Sequence, residues 1–99
     1  MSGSYSAEIY RQEGTEFRSV HLSVREDGSV YLSAQDMGKT VKEFWGDDDY
    51  EFGVEVPATA LRKLVFALIR EKYAGRSGAV DEFTAFCKAE GIEQSWDSW

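Results

Sequence analysis

Five carboxylates fall within twelve residues of this 99-residue chain: Asp47, Asp48, Asp49, Glu51 and Glu55. Oxygen donors at that density suit a hard cation or a basic protein surface. The calcium-loop pattern of alternating acids, a central glycine and a spaced glutamate does not occur, so no metal-ligand set is assigned. The segment reads as a solvated acidic turn or as a contact edge for a basic protein partner. Four bases, Arg62, Lys63, Arg70 and Lys72, lie among Phe66 and Tyr73. That grouping is either an anion or nucleic-acid site, or the solvated edge of a helix.

Acid–base and nucleophilic chemistry have fewer candidates. His21 is the single histidine, between Ser19 and Ser23. A serine hydrolase needs an oriented base, a nucleophile on a strained turn and an oxyanion hole, and no Gly-x-Ser-x-Gly elbow is present. His21 therefore reads as a strand histidine on a polar face. Cys87 stands beside Phe83 and Phe86 at an apolar helical spacing, where burial raises a thiol pKa and blunts its reactivity. Phosphate-binding and dinucleotide-binding glycine loops are absent, as are paired Cys or His spacings for zinc. No catalytic residue and no cofactor is assigned.

Composition narrows the classes further. Eighteen acids against eleven bases give a formal charge of -7, which opposes a general duplex-DNA or anionic-membrane binder. Hydrophobic residues at 42% and aromatics at 14% argue against disorder. A chain of this length forms one domain over residues 1–99 and buries about 60 to 65% of its unfolded surface. One cysteine cannot make an internal disulfide, which suits a reducing, cytoplasmic setting. Met1 to Ser4 shows no basic-then-apolar leader and is expected to be a flexible lead-in, and no apolar run reaches the ~20 residues of a membrane span.

Alternation of apolar and polar residues predicts the elements that position these groups. Tyr5, Ala7 and Ile9 alternate with Ser6, Glu8 and Tyr10 in a first strand; Val20, Leu22 and Val24 alternate with Ser19, His21 and Ser23 in a second. A third runs from Ser29 to Gln35. The turn between the second and third sets their register. A three-residue loop, Glu26-Asp27-Gly28 with Gly28 left-handed, pairs Val24 with Val30, Leu22 with Leu32 and Val20 with Ala34. A two-residue loop would mix the faces. The chosen register leaves one apolar face and one small polar face with Ser19, His21, Ser23, Tyr31 and Ser33.

Asp36 to Gly46 is an irregular connection whose Phe44-Trp45 pair is expected to plug one end of the core. Tyr50, Phe52, Val54 and Val56 form a fourth strand with Glu51 and Glu55 outward, ended by Pro57. Ala58 to Ala74 predicts a helix closed by Gly75, and Ala79 to Glu90 a second closed by Gly91, with Ser77 as its N-cap. The second helix is expected to cover Phe66 and Tyr73 of the first. Ile92 to Trp99 forms a short edge strand or packs as an aromatic anchor. The whole is an α+β fold: a four-stranded antiparallel meander followed by two helices packed on one face.

Charge is not spread evenly over this plan. Gly46 to Pro57 carries five acids and no base, whereas residues 58–75 carry four bases and one acid.

The string Gly46-Asp47-Asp48-Asp49-Tyr50-Glu51, followed by Val56-Pro57-Ala58 and a leucine-rich helix, resembles a family of small uncharacterised bacterial proteins over about residues 18–99. That resemblance implies a bacterial source and no particular activity. At the level of topology alone, a curved antiparallel sheet followed by a helix is similar to the single-stranded-DNA-binding domain of PC4-type transcriptional coactivators. It implies nucleic-acid binding on the sheet, where those domains use basic and aromatic residues and this chain would carry small polar residues with Glu51 and Glu55.

The expected function is that of a non-catalytic interaction protein, whose Asp47 to Glu55 edge binds a basic protein as an immunity protein or inhibitor would. The alternatives are a single-stranded nucleic-acid binder of PC4-like type and a small enzyme with an unrecognised site. The chain is expected to be a monomer, or a homodimer closed by Trp96 and Trp99.

Overall fold

A computed structural model describes residues 3–38 and 49–96, without the side chain of Asp49. Four strands come first: β1 (Tyr5–Gln12), β2 (Glu16–Val24), β3 (Val30–Gly38) and β4 (Asp49–Val56). They pair antiparallel in chain order β1-β2-β3-β4. A short 3-10 turn, Ala58–Ala60, leads from Pro57 into helix α1 (Leu61–Tyr73), and α2 (Ala79–Ala89) follows. The architecture is α+β, as the alternation predicts. The chain divides into two compact units, Met1–Leu64 and Val65–Trp99.

In the first unit, the β2–β3 hairpin sets the register of the sheet. Val24 faces Val30, Leu22 faces Leu32 and Val20 faces Ala34. Gly28 holds φ +91°, a conformation that costs a residue with a Cβ about 1 kcal/mol or more. Its amide donates to the Arg25 carbonyl at 2.9 Å, and the Arg25 amide to the Ser29 carbonyl at 2.8 Å. Asp27 braces the loop by accepting from the backbone and hydroxyl of Ser29 at 2.8 and 2.7 Å. Gly28 also lets the helix start approach: a Cβ there would stand 3.3 Å from the Ala58 methyl.

β1 departs from the strict alternation expected of it. Tyr5, Ala7 and Glu8 pair with Val24, Leu22 and His21, and then the register shifts across Ile9 so that Tyr10 meets Val20. The extra residue is a bulge. It moves Tyr10 onto the face of Tyr5 and Ala7, the face where Ile9 was expected. β3 runs three residues beyond the expected Gln35, to Gly38.

Two faces result. One carries Leu22, Val24, Val30, Leu32, Ala34, Phe52, Val54 and Val56, with Ala34 buried at its centre and Val54 67% exposed. The other carries Ser6, Glu8, Ser19, His21, Ser23, Tyr31, Ser33, Gln35, Glu51 and Glu55.

In the second unit, α1 ends at a turn where Gly75 takes φ +78° and the Ala74 amide donates to the Arg70 carbonyl. Gly78, and not Ser77, occupies the N-cap of α2, and it makes no side-chain cap. Arg76 instead reaches forward to Glu82, Nε to Oε1 2.5 Å, and ties the turn to the first turn of α2. Asp81 and Glu82 there meet the positive end of the helix dipole. Gly91, at φ +70°, ends α2, and the Ile92 amide reverts to the Cys87 carbonyl at 2.8 Å in a Schellman closure. Residues 92–96 form no strand. Among the described residues no helix is long and apolar enough to cross a membrane.

Candidate functional site

The fourth strand lies at the edge of the sheet. Asp49, Glu51, Gly53 and Glu55 take alternate positions opposite Met37, Gln35, Ser33 and Tyr31 of β3. A strand's period of two thus places Asp49, Glu51 and Glu55 at register positions of one face, the polar one. Asp47 and Asp48, which precede the strand directly, lie outside the described residues, as do the Phe44-Trp45 pair and Trp99.

Glu55 is not a free charge. Its Oε1 accepts from Arg25 Nη1 at 2.9 Å, and the same guanidinium stacks over the Tyr31 ring, 5.1 Å from its centroid. That hydrogen bond raises the Arg25 pKa further above its ordinary value. The acidic edge is therefore partly neutralised at its Val56 end, although Glu51 and Glu55 are both exposed.

The polar face also fixes the histidine. Across the register Glu8, His21 and Ser33 form one row over β1, β2 and β3. His21 Nε2 stands 3.8 Å from Glu8 Oε1. Arg11 holds that same oxygen more closely, through Nε at 2.9 Å and Nη2 at 2.8 Å, and its hydrogen bond holds the Glu8 carboxyl below its ordinary value. Ser19 and Ser23 are alternate neighbours of His21 on one strand, about 6.6 Å away along the backbone, which is beyond hydrogen-bond reach for short side chains. Ser19 is itself buried. The His21 surroundings are an open strand face with an acid already engaged by arginine.

An open cleft of about 530 Å³ lies at the other end of β1 and β2, lined by Tyr10, Gln12, Glu16, Phe17, Arg18, Val20 and Asp36. Two of its charged groups are paired with each other. Arg18 Nε and Nη2 bind the two oxygens of Asp36 in a bidentate pair, each at 2.5 Å, and the guanidinium stands 5.6 Å from the Phe52 centroid. The Arg18 hydrogen bonds hold the Asp36 carboxyl below its ordinary value. Sequence reading did not single out this pair, although Arg18 and Asp36 follow from extending the β2–β3 register by one apolar step.

The four bases of α1 do not gather into one patch. At about 100° per residue, Lys63 and Arg70 share a side of the helix while Lys72 points the opposite way. Arg70 lies over Phe66 at 5.3 Å, and Lys72 lies over Tyr73 at 5.7 Å and Phe86 at 5.1 Å. Each of these cations is thus already set on a ring. Tyr73 meets Phe83 edge to face, at 5.8 Å and 83°, as expected of a residue covered by α2. Phe66, two turns before Tyr73 on the same stripe of α1, stays 63% exposed and lacks the expected cover. Cys87 is buried within the hairpin, as its apolar spacing predicts.

Among the described residues no group of three His, Cys, Asp or Glu side chains is arranged to hold a metal ion. No protein-family model, curated protein or solved structure matches the chain.

Proposed function

We propose that the chain is a non-catalytic interaction protein of bacterial, cytoplasmic type, whose acidic β4 edge, from Asp47 to Glu55, binds a basic protein partner in the manner of an immunity protein or inhibitor. The observation that carries this reading is the register of an outer strand that sets Asp49, Glu51 and Glu55 on one face. An outer strand offers main-chain donors and acceptors to an added strand, and alternate side chains then select the partner. A run of acids beside that edge selects bases and speeds encounter more than it deepens affinity. Because Arg25 holds Glu55, the charge available to a partner centres on Asp47 to Glu51.

Affinity capture from the source cell tests the reading, using wild type and an Asp47/Asp48/Asp49→Asn variant at low and high salt. The expected result is a basic protein retained by wild type at low salt, and lost both on adding salt and in the variant. Equal recovery of every retained protein by both forms would overturn it.

A further inference from the structure

The sheet has two outer strands, β1 and β4. The free side of an outer strand carries main-chain donors and acceptors that another strand can ladder, and charge is a common defence against that. β4 carries Asp49, Glu51 and Glu55 with no base, whereas β1 carries one acid and one base, Glu8 and Arg11. Among the described residues β1 pairs with β2 alone. The described residues of Val65–Trp99 form helices and no strand, so none of them supplies a ladder to that edge. The bulge at Ile9 decides how the edge is charged. In a regular strand Glu8 and Arg11, three positions apart, would take opposite faces. The bulge puts both on the polar face, opposite His21 and Ser19, where their side chains meet at 2.8 and 2.9 Å.

We propose that a second copy of this chain adds at this edge, β1 to β1, antiparallel about a two-fold axis between Ile9 and Tyr10. Residues directly opposite in an antiparallel pair share a face, so an acid and a base can meet this way only if both lie on one face of their own strand. The bulge meets that condition. The register then sets Glu8 of each copy opposite Arg11 of the other, Ile9 opposite Tyr10, and Ala7 opposite Gln12. Opposite charges and an aromatic beside a β-branched residue are favourable cross-strand pairs. Bulges disturb pairing with a regular strand, which would have to skip Ile9 as β2 does. A second copy brings the matching extra residue, so the two strands ladder one to one. The like charges of β4 oppose the same join at the other edge. A two-fold contact closes on itself and leaves β4 as the outer strand at both ends of one continuous sheet. Only Ala7 to Gln12 enter the ladder, a small contact beside the ~800 Å² per partner of stable interfaces, so dissociation is expected near about 100 µM.

Sedimentation equilibrium of the full chain from about 10 µM to about 1 mM tests this, with circular dichroism to check that each variant is folded. Wild type is expected to be mostly dimer at the top of the range. Glu8→Arg alone and Arg11→Glu alone each set like charges across the axis, and each is expected to weaken pairing about tenfold. Glu8→Arg combined with Arg11→Glu restores opposite charges, both within the strand and across the axis, and is expected to return to within about threefold of wild type. Glu51→Gln on β4 is expected to leave pairing within about twofold. A wild-type monomer at the highest concentration would overturn the proposal. So would a dimer indifferent to both single changes, a double variant no better than the singles, or a dimer lost in Glu51→Gln.

Discussion

The phenol of Tyr31 on β3 lies across Gly53 on β4 so closely that a Cβ at position 53 would stand 2.6 Å from its oxygen and 2.7 Å from its Cζ. Tyr31 is registered to Glu55, one apolar step away, and reaches diagonally to the glycine. Arg25 covers the outer side of the same ring and binds Glu55. Gly53, Tyr31, Arg25 and Glu55 thus form a single layer that joins the acidic edge to the hairpin.

Gly53→Ala is expected to destabilise the sheet by about 1 to 3 kcal/mol, the usual cost of forcing extra atoms into a packed site. The Leu32 carbonyl, 2.9 Å from the same Cβ, is backbone and cannot swing away. Placing the change in a Tyr31→Leu background is expected to recover only part of the loss. Urea midpoints of the four proteins measure it, and a cost below about 0.5 kcal/mol would contradict the packing described.

The Arg18–Asp36 pair predicts an acid-side loss of stability. Asp36 has a folded-state pKa below its ordinary value of 3.8, because Arg18 hydrogen-bonds its ionised form. The unfolded chain therefore binds the proton more readily, and the pair's contribution is complete above about pH 4 and fades as pH falls through the lower folded value. Asp36→Asn is expected to flatten the dependence of the urea midpoint between about pH 2 and 4, with Asp27, Glu8 and Glu82 supplying what slope persists. An unchanged profile in Asp36→Asn would contradict the pairing.

Much of the sheet was legible in the residues because one register alone keeps Val20, Leu22 and Val24 beside Ala34, Leu32 and Val30. Gly28 then had a turn to make, and it makes it. The bulge at Ile9 was not legible: Tyr5 to Arg11 alternates without a break, and only pairing with β2 reveals that Tyr10 has changed sides. Arg25 and Glu55 are 30 residues apart and meet across β3, so no local pattern signals that one acid of the candidate edge is neutralised. The N-cap of α2 fell one residue from Ser77, on Gly78, and the side-chain bond at that turn runs instead from Arg76 to Glu82. Exposure of Phe66 was hidden for a related reason. Helical spacing puts Phe66 and Tyr73 on one stripe of α1, but does not tell how far along that stripe α2 gives cover.

Single-stranded nucleic acid is expected not to bind. The net charge is -7, and Arg70 and Lys72 are stacked on rings facing different sides of α1. Fluorescence anisotropy with labelled oligonucleotides at low salt and tens of micromolar protein is expected to show no change. Saturable binding there, weakened by Lys63→Ala and Arg70→Ala, would favour the nucleic-acid reading over the acidic edge.

A basic protein docked on β4 would shield the backbone amides of that strand. Hydrogen–deuterium exchange of the chain, with and without the basic protein retained by affinity capture, measures this directly. Slowed exchange is expected across Tyr50 to Val56 of the outer strand, reversed by salt and absent in Asp47/Asp48/Asp49→Asn. Protection confined to β1 and β2, or equal in wild type and variant, would contradict it.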